Sequence, residues 1–238
     1  MKNLFILVLI SISAPLMVIG QNQMSRAPLN EEFVDYIRFY GPEKTKKAIQ
    51  GKATGYVPSP LKIHFGSENY VETPKKSVND LPSQYDLRDY NWVTPVKDQG
   101  PAGACWAFST MGAIESMWLR EGLDEYDLSE QNMATCHGFE AGINDGGSDF
   151  IAAAYLTRVS GPVTEASDPY SPSSNYCSKD GLVIPYYVPK VYWLPKDINV
   201  VKKGIYEYGA VTASINTGGN LMFYYYDDID NTFYYNGT

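Results

Sequence analysis

Cys105 and the residues just before it form the part of the sequence best suited to chemistry. Residues 99–106 (QGPAGACW) end in a cysteine that opens an apolar stretch with helical spacing. A thiol in the first turn of a helix faces unpaired backbone N–H groups and the positive end of the helix dipole, and both favour the nucleophilic thiolate. Cys105 is therefore a candidate nucleophile for acyl transfer.

The same stretch offers donors for the oxygen anion that forms during acyl transfer. The backbone N–H of Cys105 is one candidate donor, and the side-chain amide of Gln99, on the preceding loop, is a second. The small residues Gly103 and Ala104 let a substrate carbonyl approach. On helix position alone, the alternative is that Cys105 is an ordinary buried cysteine at the start of a core helix, because free cysteine is among the most buried residue types. These residues supply no base.

Helices and a later set of strands are predicted to position these residues. Apolar spacing and good N-caps indicate the helices, and runs of alternating character rich in Tyr and Val indicate the strands after Gly161-Pro162. The predicted helices are 105–119, 129–136, 148–158 and 200–208. The predicted strands are 184–193 and 210–215. Helices that precede strands, without alternation between the two, predict an α+β fold.

The first 80 residues have the pattern of segments that are removed. Residues 1–20 carry one early lysine and an apolar run too short and too interrupted to span a bilayer, which predicts a signal peptide. Residues 21–80 contain one predicted amphipathic helix, over 30–38, and otherwise connections rich in Gly, Pro and Lys. We expect this leader to be unstable alone, and we place the start of the mature domain near Leu81.

Composition and charge limit the partners. The 238 residues are 44% hydrophobic and 14% aromatic, which is enough for a packed core. The net charge is −8, and the acidic excess lies in residues 81–238. Nucleic acids and anionic membranes need basic surfaces, so neither is an expected partner after signal removal. We expect a secreted domain, with a monomer favoured.

Several motifs in sequence order resemble the papain family of cysteine peptidases. The likeness is strongest around Cys105, where residues 93–100 (VTPVKDQG) lead into residues 103–109 (GACWAFS); the family signature here is C-G-[SA]-C-[WY]. Further matching stretches are 81–88 (LPSQYDLR), 128–132 (LSEQN), 144–147 (NDGG), 168–170 (DPY) and 209–211 (GAV). The resemblance covers essentially all of residues 81–238.

This resemblance implies a papain-like two-lobed fold, with a helical lobe followed by a β-barrel lobe that is incomplete here. It also implies a cysteine endopeptidase that acts on protein or peptide substrates through an acyl-enzyme, without a cofactor or metal. Cys105 takes the place of the nucleophile, and Gln99 takes that of the oxyanion donor. Gly146 and Gly147 match a backbone ledge that pairs with an extended peptide, and Trp106 is expected to contribute to substrate binding.

The resemblance also assigns a specificity subsite. Ser148, Asp149 and Ser214 are expected near the family's second subsite, where an acidic residue such as Asp149 favours a basic side chain. The alternative is that Asp149 simply stabilises the N-terminus of the predicted third helix.

The remaining cysteines match one disulfide of the family. Cys136 and Cys177 correspond to its second bridge. The family's bridge beside the nucleophile is absent, because its two positions hold Ala102 and Ile143.

The family's catalytic histidine lies about 130 to 150 residues after the nucleophile, which here means about positions 235–255. The sequence has two histidines, His64 in the leader and His137. His137 belongs to the nucleophile's own lobe and matches no catalytic position, so we expect the histidine and the catalytic asparagine beyond Thr238. The rival hypothesis is a secreted papain-like domain without activity that binds peptides or surfaces. The presence of both Cys105 and Gln99 argues against it.

Overall fold

The computed structural model describes residues 29–40, 48–49, 52–53, 55–59, 77–214, 226–227 and 232–233. The helices are α1 (Glu31–Tyr40), α2 (Cys105–Arg120), α3 (Glu130–Cys136), α4 (Asp149–Thr157) and α5 (Ile198–Tyr208). The strands are β1 (Ala48–Ile49), β2 (Lys52–Ala53), β3 (Tyr226–Asp227) and β4 (Thr232–Phe233). Strand β1 pairs antiparallel with β2, with Ala48 opposite Ala53, and β3 pairs antiparallel with β4, with Tyr226 opposite Phe233.

Helix α2 forms the centre of the core, and α3 and α4 pack against it. Four of its buried apolar residues recur every three or four positions and so lie on one face, which fits the 3.6-residue period of a helix. These residues are Ala107, Met111, Ile114 and Trp118. From α3 and α4 the same core receives Met133, Ala134, Ala152, Tyr155 and Leu156. The site at the start of α2 is therefore mounted on the most buried part of the described chain.

Side-chain caps explain where two of the helices begin. The Ser129 hydroxyl accepts a hydrogen bond from the Asn132 N–H at 3.0 Å and so caps α3 as predicted. Asp197 accepts from the N–H groups of Asn199 and Val200, so α5 begins at Ile198, two residues before the predicted start.

The strand predictions for the second half of the chain are wrong within the described residues. Residues 184–193 and 210–214 form no ladder there, although their alternating Tyr and Val content is typical of strands. A strand needs a neighbouring backbone to accept and donate its hydrogen bonds, and side-chain pattern alone does not supply one. Residue 215 lies outside the described residues.

An ion cluster with two buried glutamates ties the loop before Cys105 to two helices. Lys97 Nζ lies 2.8 Å from Glu115 Oε1, 2.9 Å from Glu130 Oε1 and 2.6 Å from Asp127 Oδ1. The Glu115 and Glu130 side chains are only 1% and 2% exposed. Glu115 Oε1 also accepts the backbone N–H of Leu128 at 2.8 Å. Because Lys97 is two residues from Gln99, the cluster fixes the loop that leads to the candidate nucleophile.

One ammonium faces three carboxylates in this cluster, so the negative charge is not fully compensated. Although burial opposes its charge, the hydrogen bonds that Lys97 donates to Asp127 and Glu115, together with the charge of Glu130, raise the pKa of Lys97. Burial, opposed in part by Lys97, raises the pKa of Glu130 to about 7. A folded-state pKa above the ordinary value near 4.5 means that the folded protein holds this proton more strongly. This stronger proton binding by Glu130 adds to the free energy of unfolding below pH 4.5, and the contribution is lost as the pH rises to 7.

Glu130→Gln should therefore remove the part of the stability loss between pH 4.5 and 7 that ionisation of Glu130 causes. Relative to the unchanged protein, the variant's free energy of unfolding should rise by about 3 kcal/mol between pH 4.5 and 7. Urea denaturation at half-unit intervals of pH measures the difference, and Glu140→Gln on an exposed loop is the matched control. Parallel stability curves for the unchanged protein and Glu130→Gln would contradict the assignment.

Candidate active site

Cys105 is a free, half-buried thiol at the first residue of α2. The residue before it, Ala104, is fully buried and has no side chain that could accept hydrogen bonds from the first turn. The positive end of the α2 dipole therefore faces the thiol without a capping group to offset it. The predicted helix start is confirmed, and the helix extends one residue further than predicted, to Arg120.

A segment of the N-terminal region lies across this thiol. The backbone N–H of Gly55 donates a hydrogen bond to Cys105 Sγ at 3.2 Å. Gly147 donates its N–H to the Gly55 carbonyl at 2.6 Å and accepts the N–H of Val57 at 2.8 Å. Tyr56, between these two bonds, is paired with Gly147 in a parallel bridge. An extended peptide is thus held by its main chain beside the candidate nucleophile.

Two glycines make this close approach possible. A Cβ at Gly55 would collide with the carbonyl group of Gly103, and a Cβ at Gly147 would collide with the indole ring of Trp106. Each collision involves backbone or a large ring, which cannot move aside easily. Only glycine allows the segment and the ledge to approach as they do.

Trp106 lies beneath the ledge rather than on an open surface. Its side chain is buried, with 5% exposure, and its ring meets that of His137 edge-on at 6.0 Å between centroids. Because a Cβ at Gly147 would collide with the Trp106 ring, that ring lies directly against the Gly147 backbone and supports the ledge. The contribution of Trp106 to substrate binding stays a prediction.

Gln99 is held on the loop that turns back toward Cys105. One of its side-chain N–H groups donates to the Ala102 carbonyl at 2.8 Å. Its main-chain carbonyl accepts the Tyr170 hydroxyl at 2.8 Å. The amide group is therefore fixed from both its side chain and its backbone, as a preorganised donor requires.

His137 is a buried structural residue at the C-terminal end of α3. Its side chain is 1% exposed, and Nδ1 accepts the backbone N–H of Phe139 at 3.0 Å. Burial lowers the pKa of His137, so the neutral ring is favoured. Its Nε2 has no hydrogen-bond partner in the described part of the chain. His137 is therefore not set up as a base for Cys105, and His64 lies outside the described residues.

Asp149 opens α4, two residues after Gly147. Its carboxylate is half-buried and accepts a hydrogen bond from the Thr212 hydroxyl at 3.3 Å. Burial raises the pKa of Asp149. Ser148 is buried and Ser214 is exposed. Sequence reasoning missed Thr212, which lies 63 residues from Asp149 along the chain.

A disulfide joins Cys136 at the end of α3 to Cys177, across a separation of 41 residues. In the chain-entropy model, a loop of this length contributes about 3 to 4 kcal/mol to stability. Ala102 and Ile143 both lie in the buried core, at 0% and 1% exposure. Apolar packing therefore stands where the resemblance would place the bridge beside the nucleophile.

The described residues give no evidence of a membrane-spanning helix or of a metal site. No helix there is both long and apolar enough to cross a bilayer. No group of His, Cys, Asp and Glu side chains there has the arrangement of a metal site.

Known proteins resemble this chain over the same region. A family model described as papain family cysteine protease matches residues 81–232. The viral cathepsin of Heliothis zea nuclear polyhedrosis virus is 33% identical over 175 residues, which are 73% of this chain and 47% of that protein. A cathepsin L-like peptidase of Aedes aegypti is 29% identical over 204 residues, which are 84% of this chain and 56% of that protein. The chain thus spans about half the length of the curated relatives it matches.

A solved structure shares the fold. The cysteine protease and lectin-like domains of Cwp84, a surface layer associated protein of Clostridium difficile, give a TM-score of 0.64 at 26% identity. The match covers 87% of this chain and 43% of that one.

Proposed function

Because the chain belongs to the papain family of cysteine proteases, we propose that it is the precursor of an exported cysteine endopeptidase whose nucleophile is Cys105. Its substrates are proteins or peptides, bound as extended chains along the Gly146-Gly147 ledge. No cofactor takes part in the proposed reaction.

The observation that carries this proposal is the segment around Tyr56. Its main chain meets Cys105 Sγ through Gly55 and forms two hydrogen bonds with Gly147. Main-chain pairing of this kind binds extended peptides of many sequences, because every residue carries the same N–H and C=O groups. A nucleophilic side chain beside such a peptide is the arrangement that peptide hydrolysis needs.

In the proposed reaction, the Cys105 thiolate attacks the scissile carbonyl carbon and forms a C–S bond. The carbonyl oxygen becomes an oxyanion that accepts hydrogen bonds from the Cys105 N–H and the Gln99 amide. The C–N bond then breaks, and the leaving amine takes a proton from a histidine. Water, deprotonated by the same histidine, cleaves the thioester and releases the acid and the thiol. Since His137 is buried and its Nδ1 is engaged, we propose that this histidine is not His137.

The N-terminal region is proposed to be an inhibitory leader that follows a signal peptide. In this division, residues 1–20 are the signal peptide, 21–80 the leader and 81–238 part of the peptidase domain. The family model begins at residue 81, which supports the boundary. The Cys136–Cys177 disulfide supports an extracytoplasmic location, where disulfides persist.

The test is hydrolysis of a fluorogenic dipeptide by the complete protein before and after removal of the leader. We expect hydrolysis to begin when the leader is removed and to stop when Cys105 is carboxymethylated with iodoacetate. Equal activity before and after removal would contradict the precursor assignment. Absence of hydrolysis in both, together with retained peptide binding, would favour the rival hypothesis of a binding domain.

A further inference from the structure

The main chain of Gln99 is held by Tyr170, from the segment that follows α4. The Tyr170 hydroxyl donates to the Gln99 carbonyl at 2.8 Å, across 71 residues of sequence. The Tyr170 ring packs edge-on against Phe108 of α2, with 4.8 Å between the ring centroids. A tyrosine hydroxyl fixes a loop only as firmly as the backbone that carries the ring is itself fixed. The support of the Tyr170 backbone therefore matters for the oxyanion donor.

The Glu165 side chain supplies that support. Its Oε1 accepts the backbone N–H of Tyr170 at 2.7 Å, five residues further along the chain. Its Oε2 is buried and has no hydrogen-bond partner within the described part of the chain. The Tyr170 N–H is thus the donor that fixes this carboxyl group there. Because a backbone N–H away from water needs an acceptor, the bond closes the turn between Glu165 and Tyr170.

The backbone of Glu165 is fixed in turn beside the ion cluster around Lys97. The Glu165 N–H donates to the Asp127 carbonyl at 2.8 Å. The next residue along, Leu128, is paired with Thr164 in an antiparallel bridge. The Asp127 side chain reaches the other way, with Oδ1 at 2.6 Å from Lys97 Nζ. Glu165 is therefore attached to the same cluster that fixes the loop before Cys105.

These contacts form a closed ring that restrains the loop at two points. The ring runs through Lys97, Asp127, Glu165, Tyr170 and Gln99. The first four of these also line a pocket of about 250 Å³. The interior of the ring is therefore open space and not packed core, so its hydrogen bonds and ion pairs must set the position of the loop.

We propose that Glu165 is a positioning residue for the oxyanion donor Gln99 and that it acts through Tyr170. This assignment rests on the proposed peptidase function and deepens it. Glu165 holds the Tyr170 backbone, the Tyr170 hydroxyl holds the Gln99 main chain, and the Gln99 amide is thereby kept where the oxyanion forms. A donor that acts on the developing oxyanion stabilises the transition state, so the contribution of Glu165 falls on kcat and not on KM.

The first test is steady-state kinetics of the complete protein after leader removal, on one fluorogenic dipeptide. We expect Glu165→Ala to lower kcat by about threefold to fivefold with KM unchanged, because a loosely held donor is aligned less of the time. Glu165→Gln keeps an acceptor oxygen for the Tyr170 N–H and should restore most of the loss. Leu156→Val, in the core of α4, is the control for a general loss of stability and should leave kcat unchanged. A change in KM without a fall in kcat would overturn the proposal.

The double variant of Glu165→Ala with Tyr170→Phe tests the route. Tyr170→Phe keeps the N–H that Glu165 accepts and removes the hydroxyl that the Gln99 carbonyl accepts. If Glu165 acts through that hydroxyl, the double variant should have the kcat of Tyr170→Phe alone, to within about 1.5-fold. Losses that multiply would show that Glu165 acts by another route and would overturn the proposal.

The second test needs no turnover. Amide hydrogen exchange is followed in the complete protein with its leader, in peptides that cover residues 97–104 and 110–118. We expect Glu165→Ala and Tyr170→Phe each to speed exchange by about threefold in the first peptide and to leave the second, from α2, unchanged. Equal acceleration in both peptides, or in neither, would overturn the proposal. If even the unchanged protein fails to cleave the dipeptide, the proposed function fails, and the exchange experiment still decides whether Glu165 holds the Gln99 loop.

Discussion

Residues 81–238 alone should hydrolyse peptides about 10² to 10⁴ times more slowly than the same domain extended through its expected histidine and asparagine. The reason is proton transfer, because expulsion of the amine requires an acid and His137 is buried with its Nδ1 engaged. The measurement is kcat/KM for both proteins on one fluorogenic dipeptide. Iodoacetamide labelling of Cys105 in each serves as a check that the thiol is accessible.

The control for folding in this comparison is His137→Asn in the extended protein. If His137 is only structural, the variant should lose stability without a specific loss of kcat. Equal hydrolysis by the short and extended proteins would show that the base lies within residues 81–238, and would contradict the proposed mechanism.

Gln99→Ala in the complete protein should lower kcat by about a hundredfold or more, by analogy with other oxyanion donors. The structure gives the physical basis, since the Gln99 amide is already anchored to the Ala102 carbonyl and need not be ordered during the reaction. A donor that acts only on the developing oxyanion contributes to kcat with little effect on KM. Steady-state kinetics separate the two parameters.

Tyr170→Phe is the matched control for this prediction. It removes the hydroxyl that holds the Gln99 main chain but keeps the amide, and its ring still packs edge-on against Phe108. We expect a smaller loss of kcat, below tenfold, from looser positioning. An unchanged kcat in Gln99→Ala would contradict the oxyanion assignment, and an equal loss in both variants would point to a purely structural role.

The helical half of this papain-like fold could be predicted because its signals are local. Cys105 opens α2, and Ser129 caps α3, as apolar spacing and capping chemistry indicate. Helix α4 was predicted over 148–158 and observed as Asp149–Thr157. Each of these signals lies within a few residues of the feature that it predicts.

The features that sequence reasoning missed depend on distant partners. The Lys97 cluster joins residues up to 33 positions apart, and nothing near Lys97 in the sequence distinguishes it from a solvated lysine. The pairing of Tyr56 with Gly147 joins residues from two regions through backbone atoms, so the glycine ledge could be predicted but the segment that occupies it could not. The strands predicted over 184–193 failed for the same reason, because a ladder is a property of two segments.

The apolar packing of Ala102 and Ile143 has a consequence for the redox behaviour of the protein. In the described chain, a reducing agent can cleave the Cys136–Cys177 bridge, and it can return Cys105 to the free thiol after oxidation. It has no disulfide to cleave at Ala102 and Ile143, which are buried apolar residues without sulfur. The geometry of the loop between Gln99 and Cys105 should therefore not depend on the ambient thiol concentration through a bridge at Ala102. Activation or inactivation by reductant then reports on the nucleophile or on the Cys136–Cys177 bridge.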